Sequence, residues 1–221
     1  NDNEKIVSSD RMHAAGGEWR VEKQRLNWEI LDAYAKSAAE AGIPLTDDFN
    51  GGDNTGVSYF DVNQHKGWRW NTSKAFLRTV KGRKNLEIWT HSLVTKLGLK
   101  RDADGGLRCT SVDISRKGTP LTVEAKTEVI LCAGAIGSPH ILQLSGIGAA
   151  QDLKPHGIKV QHNLPGVGHN LQDHLQIRTV YQVEGVETLN ELASTFWGKA
   201  SFALEYAFKR SGPMSMAPSQ L

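Results

Sequence analysis

Residues 128–148 read Glu128-Val129-Ile130-Leu131-Cys132-Ala133-Gly134-Ala135-Ile136-Gly137-Ser138-Pro139-His140-Ile141-Leu142-Gln143-Leu144-Ser145-Gly146-Ile147-Gly148. The opening run is nearly all apolar, the pattern of a strand buried on both faces of a parallel sheet, and Cys132 within it reads as a buried thiol. Ala133-Gly134-Ala135 then strips side chains from the end of that strand, so that backbone can approach a ligand closely. Ser138-Pro139 predicts a helix start, with Ser as the cap and Pro at the first helical position. Ile141, Leu142 and Leu144 continue the helical pattern, and Gly146 and Gly148 stop it. A strand–glycine–helix corner of this kind offers free N–H groups and a positive dipole end beside the carboxyl edge of a sheet, where α/β proteins hold nucleotides. Spacing alone favours a plain tight turn, because strand–glycine–helix corners are common.

Upstream of the corner the pattern is that of strands. Residues 86–90 and 92–99 alternate, residues 102–106 form a Gly-rich hairpin turn, and residues 109–115 and 121–125 make two further short strands around Lys117-Gly118. The prediction is a three-stranded antiparallel excursion placed before the buried strand at 128–132. Nearer the N-terminus, a short strand is expected near 19–21. Trp28, Ile30, Leu31, Tyr34, Ala35, Ala38 and Ala39 recur at helical spacing and end at Gly42 and Pro44. Residues 47–55, dense in Asp, Asn and Gly, are loop, and a short helix is expected over 73–80. Downstream, the predictions are a short helix at 149–156, strands at 159–161 and 175–183, a turn at 164–168 and a helix over 189–209.

Bulk composition narrows the function class. The 221 residues are 39% hydrophobic and 23% charged with a net charge of +2, an ordinary globular balance. Basic residues form no extended track, so nucleic acid is not an expected partner. No run reaches the ~18 apolar residues of a membrane span. The two cysteines make neither a disulfide framework nor a zinc site, and no histidine stands at metal-ligand spacing from another donor. Asp173-His174 are adjacent, but neighbours on a strand face opposite ways, which argues against a catalytic dyad. Trp28, Trp68, Trp70 and Trp197 read as packing bulk.

The run at 134–148 also resembles the second signature of the glucose–methanol–choline (GMC) oxidoreductases: a small pair, Ser-Pro, aliphatics and Ser-Gly-Ile-Gly. Leu164-Pro165-Gly166-Val167-Gly168-His169-Asn170-Leu171-Gln172-Asp173-His174 is similar to that family's LPGVGxNLQDH segment. Gly67-Trp68-Arg69-Trp70-Asn71-Thr72-Ser73-Lys74-Ala75-Phe76-Leu77 resembles the stretch that returns the chain to the flavin domain, with Asn71 where Ser is commoner. Asp48-Phe49-Asn50 resembles its DFN loop. The likeness is strongest to the choline dehydrogenase-like alcohol dehydrogenase branch.

This resemblance implies an α/β (α+β) fold: a partial Rossmann-like FAD-binding domain with the three-stranded excursion, plus parts of a substrate domain. Residues 1–68 would belong to the substrate side, 69–165 to the flavin domain and 166–221 to the substrate side again. The implied cofactor is FAD and the implied substrate a small alcohol, oxidised at its CH–OH group by hydride transfer to flavin; the electron acceptor stays open. Val94 matches the position whose backbone holds the adenine, and Ala133 and Gly134 lie where the chain passes the cofactor. No catalytic residue is assigned.

The family's GxGxxG fingerprint is absent: Gly166-Val167-Gly168 has the first spacing, but residues 169–171 supply no third glycine. The histidine that takes the alcohol proton in the family has no match here either. The chain therefore reads as an internal piece of a cytoplasmic enzyme, with membrane association left open. By itself it is expected to fold poorly, hold no FAD and oxidise no alcohol. The alternatives are a catalytically inactive truncated module and a lyase on the same scaffold.

Overall fold

The structure, a computed structural model, describes residues 2–3, 12–177, 179–217 and 219–221. The chain divides into two units, Asn1–Leu86 with Val180–Leu221, and Glu87–Thr179.

In the first unit, β1 (Asp2–Asn3) runs parallel to β2 (Arg20–Lys23). Helix α1 (Glu29–Glu40) follows, as the 28–39 spacing predicts. Its half-buried stripe of Ile30, Leu31, Ala35, Ala38 and Ala39 faces protein, whereas Tyr34 stands exposed. β3 (Asp61–Val62) pairs antiparallel to β2, and β4 (Gln64–His65) and β5 (Trp68–Arg69) form a tight hairpin. A buried carboxylate anchors that hairpin. Glu22, 1% exposed, accepts the Lys66 backbone N–H at 2.6 Å and lies 3.4 Å from Arg25 and 3.5 Å from His65. Breaking such a set would strand a buried charge, so Glu22 must stay paired. A π-helical turn (Ser73–Leu77) then leads into α2 (Arg78–Val80).

The second unit holds the antiparallel excursion. β6 (Ser92–Arg101), β7 (Leu107–Arg116) and β8 (Thr119–Glu124) lie in that order, with Leu97 opposite Val112 and Val112 opposite Val123. Leu97 and Ile114 are its buried members. The register slips between Val94 and Lys96, leaving Thr95 as an extra residue, and such a bulge bends and twists its strand. Beyond the sheet come α3 (Gly134–Leu144), β9 (Ile147–Gly148), α4 (Ala150–Leu153) with a 3₁₀ turn to His156, and β10 (His162–Asn163) parallel to β9.

The closing segment returns to the first unit with α5 (Leu189–Ser194) and α6 (Phe196–Lys209). Here the single helix expected over 189–209 is broken at Thr195, whose extended backbone (φ −101°, ψ 151°) caps α6.

Several expected elements are not formed. Residues 86–90, 128–132 and the described part of 175–183 (Arg178 lies outside it) carry strand-like sequence but no ladder. Several of their apolar side chains stand in the open, with Ile130 75%, Leu175 94% and Val180 94% exposed, while Leu86, Val129 and Leu131 are half-buried. A strand is stable only when its backbone groups pair, and among the described residues no neighbouring strand pairs with these. Cys132 is accordingly exposed, not buried. The strand expected at 159–161 sits at 162–163 instead, where it meets β9. Trp197 is 80% exposed rather than packed.

Candidate cofactor-binding site

Helix α3 begins a full turn earlier than Ser138-Pro139 predicts. Its cap is Ala133, and Pro139 lies inside it. Ser138 is therefore no N-cap; its Oγ reaches back to accept the Ala133 N–H at 3.0 Å, fastening the corner from within. Pro139 has no N–H to give the carbonyl one turn back, at Ala135. The cap residue, Ala133, has no side-chain acceptor, so the first turn of α3 carries no side-chain cap. Ala133, Gly134, Ala135 and Ile136 are all exposed. Gly134 adopts φ +81°, and the space where a side chain would project is open.

The second half of the signature behaves oppositely. Ser145, Gly146, Gly148 and Ala149 are buried. Gly146 adopts φ +87°, and a side chain there would overlap the Lys159 carbonyl. Its own carbonyl accepts the N–H groups of Gln161 and His162. The Gly148 carbonyl accepts from Leu164, and Asn163 Oδ1 caps α4 through the Ala150 N–H at 2.9 Å. Gln143 donates to the Val167 carbonyl at 3.3 Å. The 134–148 signature and the LPGVG turn are therefore one clasp. A cavity of about 550 Å³ lies beside it, lined by Ala135, Ile136, Pro139, His140, His169 and Leu171 among others.

Of the residues singled out by sequence, Val94 lies half-buried in β6, one residue before the bulge, and Ala133 and Gly134 form the exposed corner. Packing of α3 on β6 brings the two elements together. Asp173 and His174 make no dyad: both are exposed, and Asp173 Oδ1 accepts the His174 backbone N–H. Sequence reasoning missed the pair His169 Nε2–Asp152 Oδ2, 3.0 Å apart, because it joins positions that only the clasp brings together. Its half-exposed partners make it a weak surface contact. No group of three or more metal-ligating side chains occurs among the described residues, and no helix there is long and apolar enough to cross a membrane.

An antiparallel sheet clamped to an open glycine corner and its helix defines a mixed α/β architecture, shared with solved flavoenzymes. An FAD-dependent oxidoreductase from Chaetomium thermophilum matches with a TM-score of 0.81 at 25% identity, over 96% of this chain and 36% of that one. The chain belongs to the GMC oxidoreductase family, whose profile matches residues 7–176. It is 38% identical over 208 residues to the oxygen-dependent choline dehydrogenase of Pectobacterium carotovorum subsp. carotovorum (strain PC1), covering 93% of this chain. It is 34% identical over 214 residues to the chloroplastic fatty acid photodecarboxylase of Chlamydomonas reinhardtii, covering 92% of this chain. The chain spans about a third of the length of these relatives, 36% and 35%.

Proposed function

We propose that this chain forms one wall of the cofactor site in an FAD-dependent oxidoreductase acting on the CH–OH group of small alcohols, choline-like or other primary alcohols. The observation that carries the proposal is the division of the signature. Residues 133–136 are exposed on a corner stripped of side chains, while residues 145–149 lock that corner to the sheet.

The residues present suit FAD along one side. An uncapped helix start with Gly134 open above it lets a nucleotide approach the backbone, and the dipole end of α3 favours its negative charge. Val94 is proposed to hold the adenine by its backbone, and Ala133 and Gly134 to line the cofactor's path. The phosphate-cradling GxGxxG has no counterpart in the sequence, so this chain supplies only part of the grip. FAD, when bound, accepts the hydride that leaves the alcohol carbon. The chain's own part is positional: to shape the wall and hold β6 and α3 in place. No base that could take the alcohol proton is assigned to it. Residues 69–165 are proposed as flavin-domain sequence, and 1–68 and 166–221 as substrate-side sequence.

The likeness to a photodecarboxylase favours a second reading, a lyase on the same scaffold. Anaerobic mixing of the full-length flavoprotein with choline and simple primary alcohols separates the two. Bleaching of the flavin's visible bands is the expected result. Flavin that stays oxidised with every alcohol would refute the alcohol-oxidising reading.

A further inference from the structure

We infer that Ser145 is a positioning residue for this cofactor site, joining the strand that carries Val94 to the helix that opens at Gly134. Ser145 is 1% exposed, and its single hydroxyl makes two bonds. It accepts the backbone N–H of Leu97 in β6 at 2.8 Å and donates to the Ile141 carbonyl in α3 at 2.6 Å. A hydroxyl can do both at once because it has one proton to give and lone pairs to offer. The donation to Ile141, one turn back, is local and would serve any helix end. The acceptance from Leu97, 48 residues away, serves something else. Among the described residues β6 is an outer strand of its sheet, with β7 on one side only. At Leu97 its other side is met by the side chain of Ser145, the residue that caps the C-terminus of α3.

The location matters for the site. Leu97 follows the Val94–Lys96 bulge, where the strand is free to change its twist. Ser145 sits at the far end of the helix whose first residue is Gly134. One buried hydroxyl therefore fixes the angle between the proposed adenine strand and the proposed cofactor corner. The inference rests on the cofactor reading given above.

The test uses the full-length flavoprotein, stripped of FAD and titrated with it, as wild type, Ser145→Ala and Leu153→Ala. Leu153 is 2% exposed and packs in the same unit but makes neither of the Ser145 hydrogen bonds, so its truncation destabilises while leaving both bonding groups in place. Ser145→Ala leaves the Leu97 N–H buried without a partner and is expected to weaken FAD binding about tenfold. Amide exchange at Leu97 should speed up in the same variant. Leu153→Ala should lower the melting temperature at least as far while keeping FAD affinity within about twofold of wild type. Should Ser145→Ala fail to fold, Ser145→Cys, with its weaker thiol, carries the same comparison at smaller amplitude. FAD affinity unchanged in the Ser145 variant, or lost in both variants in step with stability, would overturn the inference. A wild-type protein that takes up no FAD at all would instead overturn the proposed function, and this inference with it.

Discussion

Two glycines of one signature carry opposite duties. Gly146 and Gly134 both adopt left-handed backbone, φ +87° and +81°. Around Gly146 the chain closes in, with Lys159 and Gln161 against it, whereas nothing stands within 4 Å of the position where a Gly134 side chain would project. Gly146→Ala should therefore add a clash to the ~1–2 kcal/mol cost of left-handed backbone. A denaturant melt of the full-length protein should show a loss of roughly 3 kcal/mol or more. Gly134→Ala should cost only that ~1–2 kcal/mol in the same melt, yet weaken FAD binding, because its methyl would project into the proposed path of the cofactor. If Gly134→Ala binds FAD as wild type does, the corner is not the wall proposed here. The need for glycine at both positions was legible in the sequence; which one is crowded was not, because Lys159 and Gln161 approach only through the fold. Ser138-Pro139 misled for a related reason. The sequence shows a good cap, but Ser138 Oγ turns back to Ala133 and the helix starts earlier.

Among the elements, local signals proved reliable and pairing signals did not. The hairpins of β6, β7 and β8 follow from alternation broken by Asp-Gly and Lys-Gly turns, and they form as predicted. The runs at 86–90, 128–132 and 175–183 alternate or are apolar in the same way but find no partner strand among the described residues. Periodicity says which face of a strand would be buried and never says that a neighbour is present. The start of α5 was equally readable: Thr188-Leu189-Asn190-Glu191 is a capping box, and both of its reciprocal bonds form. The Thr188 backbone N–H and then its hydroxyl hold the Glu191 carboxyl below the ordinary glutamate range. The folded form thus prefers the ionised group. Its contribution is present above the unfolded glutamate value and is lost as pH falls through the lower folded value. Amide protection across Leu189–Ser194, corrected for intrinsic exchange, should accordingly weaken on acidification through that window. Thr188→Ala should remove about 1 kcal/mol of local helix stability and lessen this acid dependence, because the hydroxyl's bond to Glu191 is lost while the backbone N–H at 188 still donates to it. Protection that falls equally with pH in Thr188→Ala would show that the box is not responsible.

For the molecule as a whole, the size of the buried core is the telling quantity. Among the described residues only Val62, Ala75, Leu97, Ile114, Ala149 and Leu153 are buried apolar side chains. With folded proteins stable by only about 5–15 kcal/mol, so little core predicts that the 221-residue chain by itself is marginal. Purified alone, it should unfold without a sharp cooperative transition and remain colourless when incubated with FAD. A yellow chain with a cooperative melt would contradict that expectation. The large exposed apolar surface, Ile130 and Ile136 included, suits a segment that packs against further protein and a cofactor. The antiparallel sheet and the family likeness were both visible in the order of motifs along the sequence. The division of the 134–148 run into an open corner and a buried clasp was not, because it depends on contacts with β6 and with residues 159–168. The central claim is that the open half of that run faces FAD, and a structure of the full-length protein with FAD bound tests it most directly. The expected result is that the backbone of Ala133 and Gly134 lies in van der Waals contact with the dinucleotide, with Val94 beside the adenine. FAD bound elsewhere, with the 133–136 corner covered by protein, would contradict it.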